Sequence, residues 1–220
     1  MFRSFFLYIQ DPFIPDQPHR FRLTVLIKYL MLYLLLAFVP VSFLALFEAG
    51  GLFKHALDGI SPNAWNVWMI VLLGPLIEEL VFRLNLKVTF LNAMVLLILL
   101  GVGSIHFIES KLLQVILMII IVSVMVWIYI DRETAISSIK RFYSRHFRWV
   151  FYFSCLTYAL LHVGNFDGLS EWAYLLTPLL VLPQLILGFI LGFIRMQYSF
   201  LAGVIFHVTA NSLFTLPGLL

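Results

Sequence analysis

The chain alternates between long apolar runs and short polar breaks. Seven runs stand out, over residues 23–47, 66–87, 90–108, 111–130, 148–164, 172–195 and 199–217. Most are close to the roughly 20 apolar residues that cross a hydrocarbon core about 30 Å thick. Glu48, Gly50, Gly51, Lys54, Asp58, Ser61 and Pro62 separate the first two runs, and Glu109, Ser110 and Lys111 form a tight turn between the third and fourth. Residues 131–147, DRETAISSIKRFYSRHF, are the most polar stretch, and 165–171 are a short acidic loop with Asp167 and Glu171. Lipid offers backbone groups no partners, so each run is predicted to be a helix. Pro178 and Pro183 should kink or break the sixth.

Composition agrees with this pattern. Of the 220 residues 62% are hydrophobic and 11% charged, whereas soluble domains average about 45–50% apolar and about 25% charged. The expected fold is therefore all-α: a polytopic bundle of about seven transmembrane helices in a single membrane domain, 23–220, after an interfacial segment, 1–22. That first segment does not read as a cleaved leader, because its short apolar patch is followed by Asp11, Pro12, Pro15, Asp16 and Pro18. With the N-terminus in the cytoplasm and seven alternating spans, only Lys54 and Lys111 of the 14 Lys and Arg residues fall outside. That bias sets the orientation. The net charge of +3 is spread over loops between apolar runs and does not suggest nucleic acid. The one cysteine, Cys155, excludes an intramolecular disulfide and reads as a packed residue. Trp65, Trp68, Trp149 and Trp172 lie at run ends as interface anchors. His106 belongs to the interface, and Gly188 with Gly192 permits close helix packing.

Three runs carry polar groups that lipid penalises by about 2.5–3.5 kcal/mol or more per charge, so each needs a partner. The second holds Glu78, Glu79 and Arg83 in GPLIEELVFR, the fifth Tyr158 and His162, and the seventh His207 and Asn211. Glu79 and Arg83, four apart, share a helix face and can pair. Glu78 points about 100° away from Glu79. Tyr158 and His162 share the four-residue spacing. So do His207 and Asn211, which present hydrogen-bond donors side by side, as an oxyanion requires. Counting about 1.5 Å per residue from the cytoplasmic ends puts Glu78, His162, His207 and Asn211 roughly 12–21 Å deep, so they can share one chamber.

Taken in order, EE-x-x-x-R, aromatic-x-x-x-H and H-x-x-x-N on membrane helices resemble the CAAX protease and bacteriocin-processing family of intramembrane glutamic endopeptidases. Pro75 before the glutamates and the run from Gly188 to Asn211 extend the likeness over 66–87 and 148–217. Tyr158 stands where the family usually has phenylalanine. Residues 90–130 add a helical hairpin that leaves the motif topology unchanged. The resemblance implies Glu78 as general base on a water, His162 as its positioner, His207 and Asn211 as oxyanion donors, and Glu79 and Arg83 as supports. It implies a membrane-anchored peptide or protein as substrate. The small size and minimal loops point to a bacterial plasma membrane. No cofactor is required, and zinc held by Glu78, His162 and His207 is the alternative. A transporter or ion-coupled channel, or a non-catalytic immunity or scaffold protein, would also account for buried Glu, Arg and His.

Overall fold

A computed structural model describes residues 2–55, 64–169 and 173–219, apart from the side chains of Ala64, Phe107, Ala173 and residues 214–219. The helices are α1 (Arg3–Gln10), α2 (Leu23–Ala49), α3 (Ala64–Trp68), α4 (Gly74–Phe82), α5 (Phe90–Phe107), α6 (Lys111–Ile130), α7 (Arg132–Leu161), α8 (Thr177–Leu180), α9 (Leu182–Gln197) and α10 (Phe200–Leu219). A π turn, Met69–Leu73, joins α3 to α4. The fold is all-α apart from two-residue strands, β1 (Lys54–His55) and β2 (Phe166–Asp167), which pair antiparallel. Leu23–Ala49, Lys111–Ile130 and Tyr174–Gln197 are long and apolar enough to cross a membrane, and Phe90–His106 and Phe200–Leu213 are shorter apolar helices.

α9 is the central post. Ile190, Leu191, Ile194 and Met196 are fully buried, and α1, α2, α7 and α10 all pack on this helix. Its two glycines allow the closest approach. A Cβ at Gly192 would lie 2.7 Å from Phe151 Cε2, and one at Gly188 would lie 3.2 Å from the Tyr158 ring. Both targets are on α7, so the small-residue pair works as its spacing predicts. Pro178 and Pro183 each sit in the first turn of a helix, α8 and α9, where a missing N–H costs nothing. The chain breaks between them at Val181, so the predicted sixth run is interrupted.

Two elements differ from the sequence reading. α7 is a single 30-residue helix that absorbs the polar stretch 131–147, so most of its basic residues ride on a helix and not in a loop. Ala135, Ile139, Tyr143 and Phe147 recur every four residues with no Gly or Pro between them, an apolar stripe easily hidden by the surrounding charges. Ala135 and Phe147 are buried on that stripe. The second difference is α1, which docks into the core from within the interfacial segment. Phe5 and Tyr8 are 2% and 3% exposed and meet Phe193 edge-on. Burying a side chain such as Phe5 is worth about 1.5–3 kcal/mol. Tyr152 donates to the Ile9 carbonyl at 2.7 Å, tying α1 to α7. Burial also pushes the Tyr8 phenol well above its usual range.

The α5–α6 hairpin stands to one side. Thr89 and Ser110 cap its helices by accepting from Asn92 and Leu113 N–H groups. Asn92 Nδ2 donates to the Leu84 and Lys87 carbonyls, and Gln114 Nε2 donates to those of Ile105 and Ile108. Leu112, Ile119, Val122 and Ile130 remain exposed. Glu171 and Trp172, and the loop residues Asp58, Ser61 and Pro62, lie outside the described residues.

Candidate functional site

Glu78 and Glu79 come from α4, whose angular setting depends on the π turn before it. At the end of that turn Gly74 N–H bonds to Met69 O. Pro75, the next residue, has no N–H to offer. The Ile70 carbonyl therefore lacks a helical partner and accepts from Asn211 Nδ2 on α10 at 3.2 Å. At the other end of α4, Arg195 of α9 donates from Nε to the Arg83 carbonyl at 3.0 Å and from Nη2 to the Leu84 carbonyl at 3.2 Å. Arg195 thus caps a helix C-terminus while 6% exposed. Ser154 of α7 donates to the Phe82 carbonyl at 2.6 Å.

Glu79 and Arg83 form the pair their spacing predicts. Arg83 Nη1 lies 3.6 Å from Glu79 Oε1, and both side chains are fully buried. The guanidinium also stacks over the Tyr158 ring, 3.8 Å from its centroid, a contact that stabilises a desolvated cation. Gly203 of α10 makes room for the other carboxylate oxygen, because a Cβ there would lie 3.0 Å from Glu79 Oε2. His207 of α10 donates from Nδ1 to Glu79 Oε1 at 3.1 Å.

Glu78 turns the other way, as its 100° offset requires, and its side chain keeps 30% of its exposure. Its Oε2 lies 3.5 Å from His207 Nε2 and 3.9 Å from His162 Nε2. His162 is the first residue of a 3₁₀ turn that ends α7. Its Nδ1 donates to the Tyr158 carbonyl one turn back, at 2.9 Å. Nε2 is thereby left facing Glu78 with a lone pair. Tyr158, 1% exposed, brings its hydroxyl within 3.2 Å of His207 Nε2. Cys155, one turn before Tyr158, is buried against the Gly188 carbonyl.

The structure thus gathers Glu78, Glu79, Arg83, Tyr158, His162 and His207 into one cluster spanning α4, α7 and α10. Asn211 lies one turn beyond His207 on α10, with one amide hydrogen committed to Ile70. Sequence reasoning missed the capping role of Arg195 and the clearance at Gly203. A signal existed for the first: an arginine at the end of an apolar run, level with the end of the glutamate helix. Among the described residues, no group of three His, Cys, Asp or Glu side chains is placed to hold a metal ion. His207 Nε2 already faces the Tyr158 hydroxyl.

A carboxylate on a partly exposed side chain, between two oriented imidazoles and beside a buried second carboxylate paired with arginine, is an arrangement that can accept a proton from water. No protein-family model, no curated protein and no solved structure matches this chain significantly.

Proposed function

We propose that the chain is an intramembrane endopeptidase of the CAAX protease and bacteriocin-processing type. In this reading it is a multi-pass protein of the plasma membrane with seven spans and a cytoplasmic N-terminus. The observation that carries the reading is Glu78 Oε2, a buried oxygen on a side chain that is 30% exposed, lying 3.5 and 3.9 Å from the Nε2 atoms of His207 and His162.

Chemistry follows from that arrangement. A water held by Glu78 and His162 gives its proton to Glu78 as it attacks the carbonyl carbon of a peptide bond. Negative charge develops on the carbonyl oxygen. Asn211 Nδ2 has a second hydrogen beyond the one given to Ile70, and His207 stands one turn away, so both are near enough to stabilise that oxygen. Collapse of the tetrahedral species breaks the C–N bond, and Glu78 returns its proton to the leaving amine. Glu79 and Arg83 fix α4 and orient His207. Substrate would be an extended segment of a membrane-anchored peptide or protein, because the site sits among apolar helices.

The test is cleavage of a fluorogenic membrane-anchored peptide library by purified protein in detergent. Glu78→Gln keeps shape and removes the base; it should lower kcat by about 10²–10⁴-fold. Cleavage at the wild-type rate by this variant would remove Glu78 from the mechanism.

A further inference from the structure

Outside the cluster, positive charge gathers where α7 passes from its polar first half to its apolar second half. Arg141, Arg145 and Arg148 recur there four and three residues apart, so they share one helix face. All three are exposed. Tyr152, one turn beyond Arg148, holds the end of α1 by donating to the Ile9 and Gln10 carbonyls at 2.7 and 3.0 Å. The chain that leaves α1 therefore runs past the arginines. Between the two lies a cavity of about 380 Å³, walled by Ser144, Arg145 and Arg148 on one side and by Asp11, Phe13 and Ile14 on the other. That volume is within the range of small-molecule sites.

The lining carries two guanidinium groups and one carboxylate. Asp11 Oδ1 lies 4.0 Å from Arg148 Nη1, and both side chains stand in solvent. Such a pair is worth little, and Arg145 is outside it. The one acid within α7, Glu133, is twelve residues from Arg145, about 18 Å along the helix and beyond a Debye length of about 8–10 Å. Net positive charge is thus left facing the cavity. Phe13 and Ile14 in the opposite wall are exposed, as are Phe142 and Trp149 beside the arginines on α7. A soluble phosphate would use the guanidinium forks and gain nothing from these apolar groups. A phospholipid uses both, with its phosphate on the forks and its glycerol and upper acyl chains against the apolar wall. Arg148 also opens the apolar half of α7, so the cavity lies at the level where a membrane helix meets headgroups.

We propose that this cavity binds an anionic phospholipid, with Arg145 and Arg148 holding its phosphate and the Ser144 hydroxyl donating to it. The net positive lining favours a lipid of net negative charge over a zwitterionic one. The proposal rests on the chain lying in a bilayer and is independent of peptide hydrolysis.

The experiment reconstitutes full-length protein in phosphatidylcholine vesicles containing brominated phosphatidylglycerol or brominated phosphatidylcholine. Bromine quenches nearby tryptophan, and the emission lost in Trp149→Phe isolates the reporter next to Arg148. Wild type should favour phosphatidylglycerol by about 5- to 25-fold, because each basic residue close to an anionic surface is worth roughly fivefold in affinity. Arg145→Gln with Arg148→Gln should bring the preference below about twofold. Arg20→Gln with Lys28→Gln removes the same charge elsewhere and should leave the preference in place. Asp11→Asn removes the competing carboxylate and should raise the preference about 2- to 5-fold, a gain that misfolding cannot imitate. Excess inorganic phosphate should displace no more lipid than chloride of equal ionic strength. Equal affinity of wild type for the two lipids would overturn the proposal. So would an equal loss in the Arg20/Lys28 variant, no rise in Asp11→Asn, or displacement by inorganic phosphate, which would assign the cavity to a soluble anion. Quenching needs no turnover, so it judges the lipid site even if Glu78→Gln proves fully active and the protease reading fails.

Discussion

The motif cluster and the α5–α6 hairpin solve opposite problems with the same apolar alphabet. Around the cluster, helices approach until glycine is required, at Gly188, Gly192 and Gly203, and the charged groups face side chains or carbonyls of other helices. The hairpin is stapled at its ends by Asn92 and Gln114, buries Ile121 and Ile128, and turns large side chains such as Leu112, Val122 and Ile130 outward. The window of α6 that could cross a membrane is 6% buried, against 44% for the span that contains α9. One region gets its order from protein–protein contact. The other needs an apolar surrounding, which a bilayer supplies. A hairpin that asks this little of the neighbouring helices leaves their packing to be set by their own contacts.

This contrast can be broken by substitution. Arg83→Ala should have the largest effect, because it strands buried Glu79 without its cation. A loss of about 3–5 kcal/mol is expected from breaking a buried pair, read as the unfolding free energy in mixed micelles. Gly192→Ala forces a methyl group into the Phe151 ring on α7 and should cost about 1–3 kcal/mol by overpacking. Asn211→Leu leaves the Ile70 carbonyl unpaired and should cost about 1–3 kcal/mol, with greater hydrogen exchange around residues 69–75 as its local sign. Val122→Ala on the hairpin should stay within about 0.5 kcal/mol, as exposed substitutions usually do. A Val122→Ala effect as large as that of Gly192→Ala would mean that the hairpin face is packed against protein and that the contrast is wrong.

Features that depend on spacing along one helix could be seen in the chain alone. Glu79 and Arg83 pair because four residues make about one turn, and Gly188 and Gly192 share a face for the same reason. Pro178 and Pro183 announced the broken helix through their missing donors. Features that depend on how two helices meet could not be seen. The Tyr158 hydroxyl reaches His207, Arg195 reaches the end of α4, and Gly203 clears Glu79 only because of the angles at which α7, α9 and α10 cross α4. The continuous α7 was hidden for another reason. Its first half mixes basic residues and serines with an apolar stripe, so average polarity masks a pattern that the four-residue period retains. The pairing of Lys54 with Asp167 in the small β ladder joins distant segments that carry too few residues to show an alternating pattern.

The wide turn at 69–73 has a consequence for which glutamate does what. Two adjacent identical side chains can be told apart only by rotation, and one extra residue in a turn rotates everything after it by about 100° relative to what came before. If that segment slipped back to an ordinary ladder, Glu78 would turn to the place that Glu79 now holds beside His207, and Glu79 and Arg83 would turn away from it together. Pro75 and Asn211 together act as an index pin: one removes the donor that regular winding would need, and the other occupies the carbonyl left over.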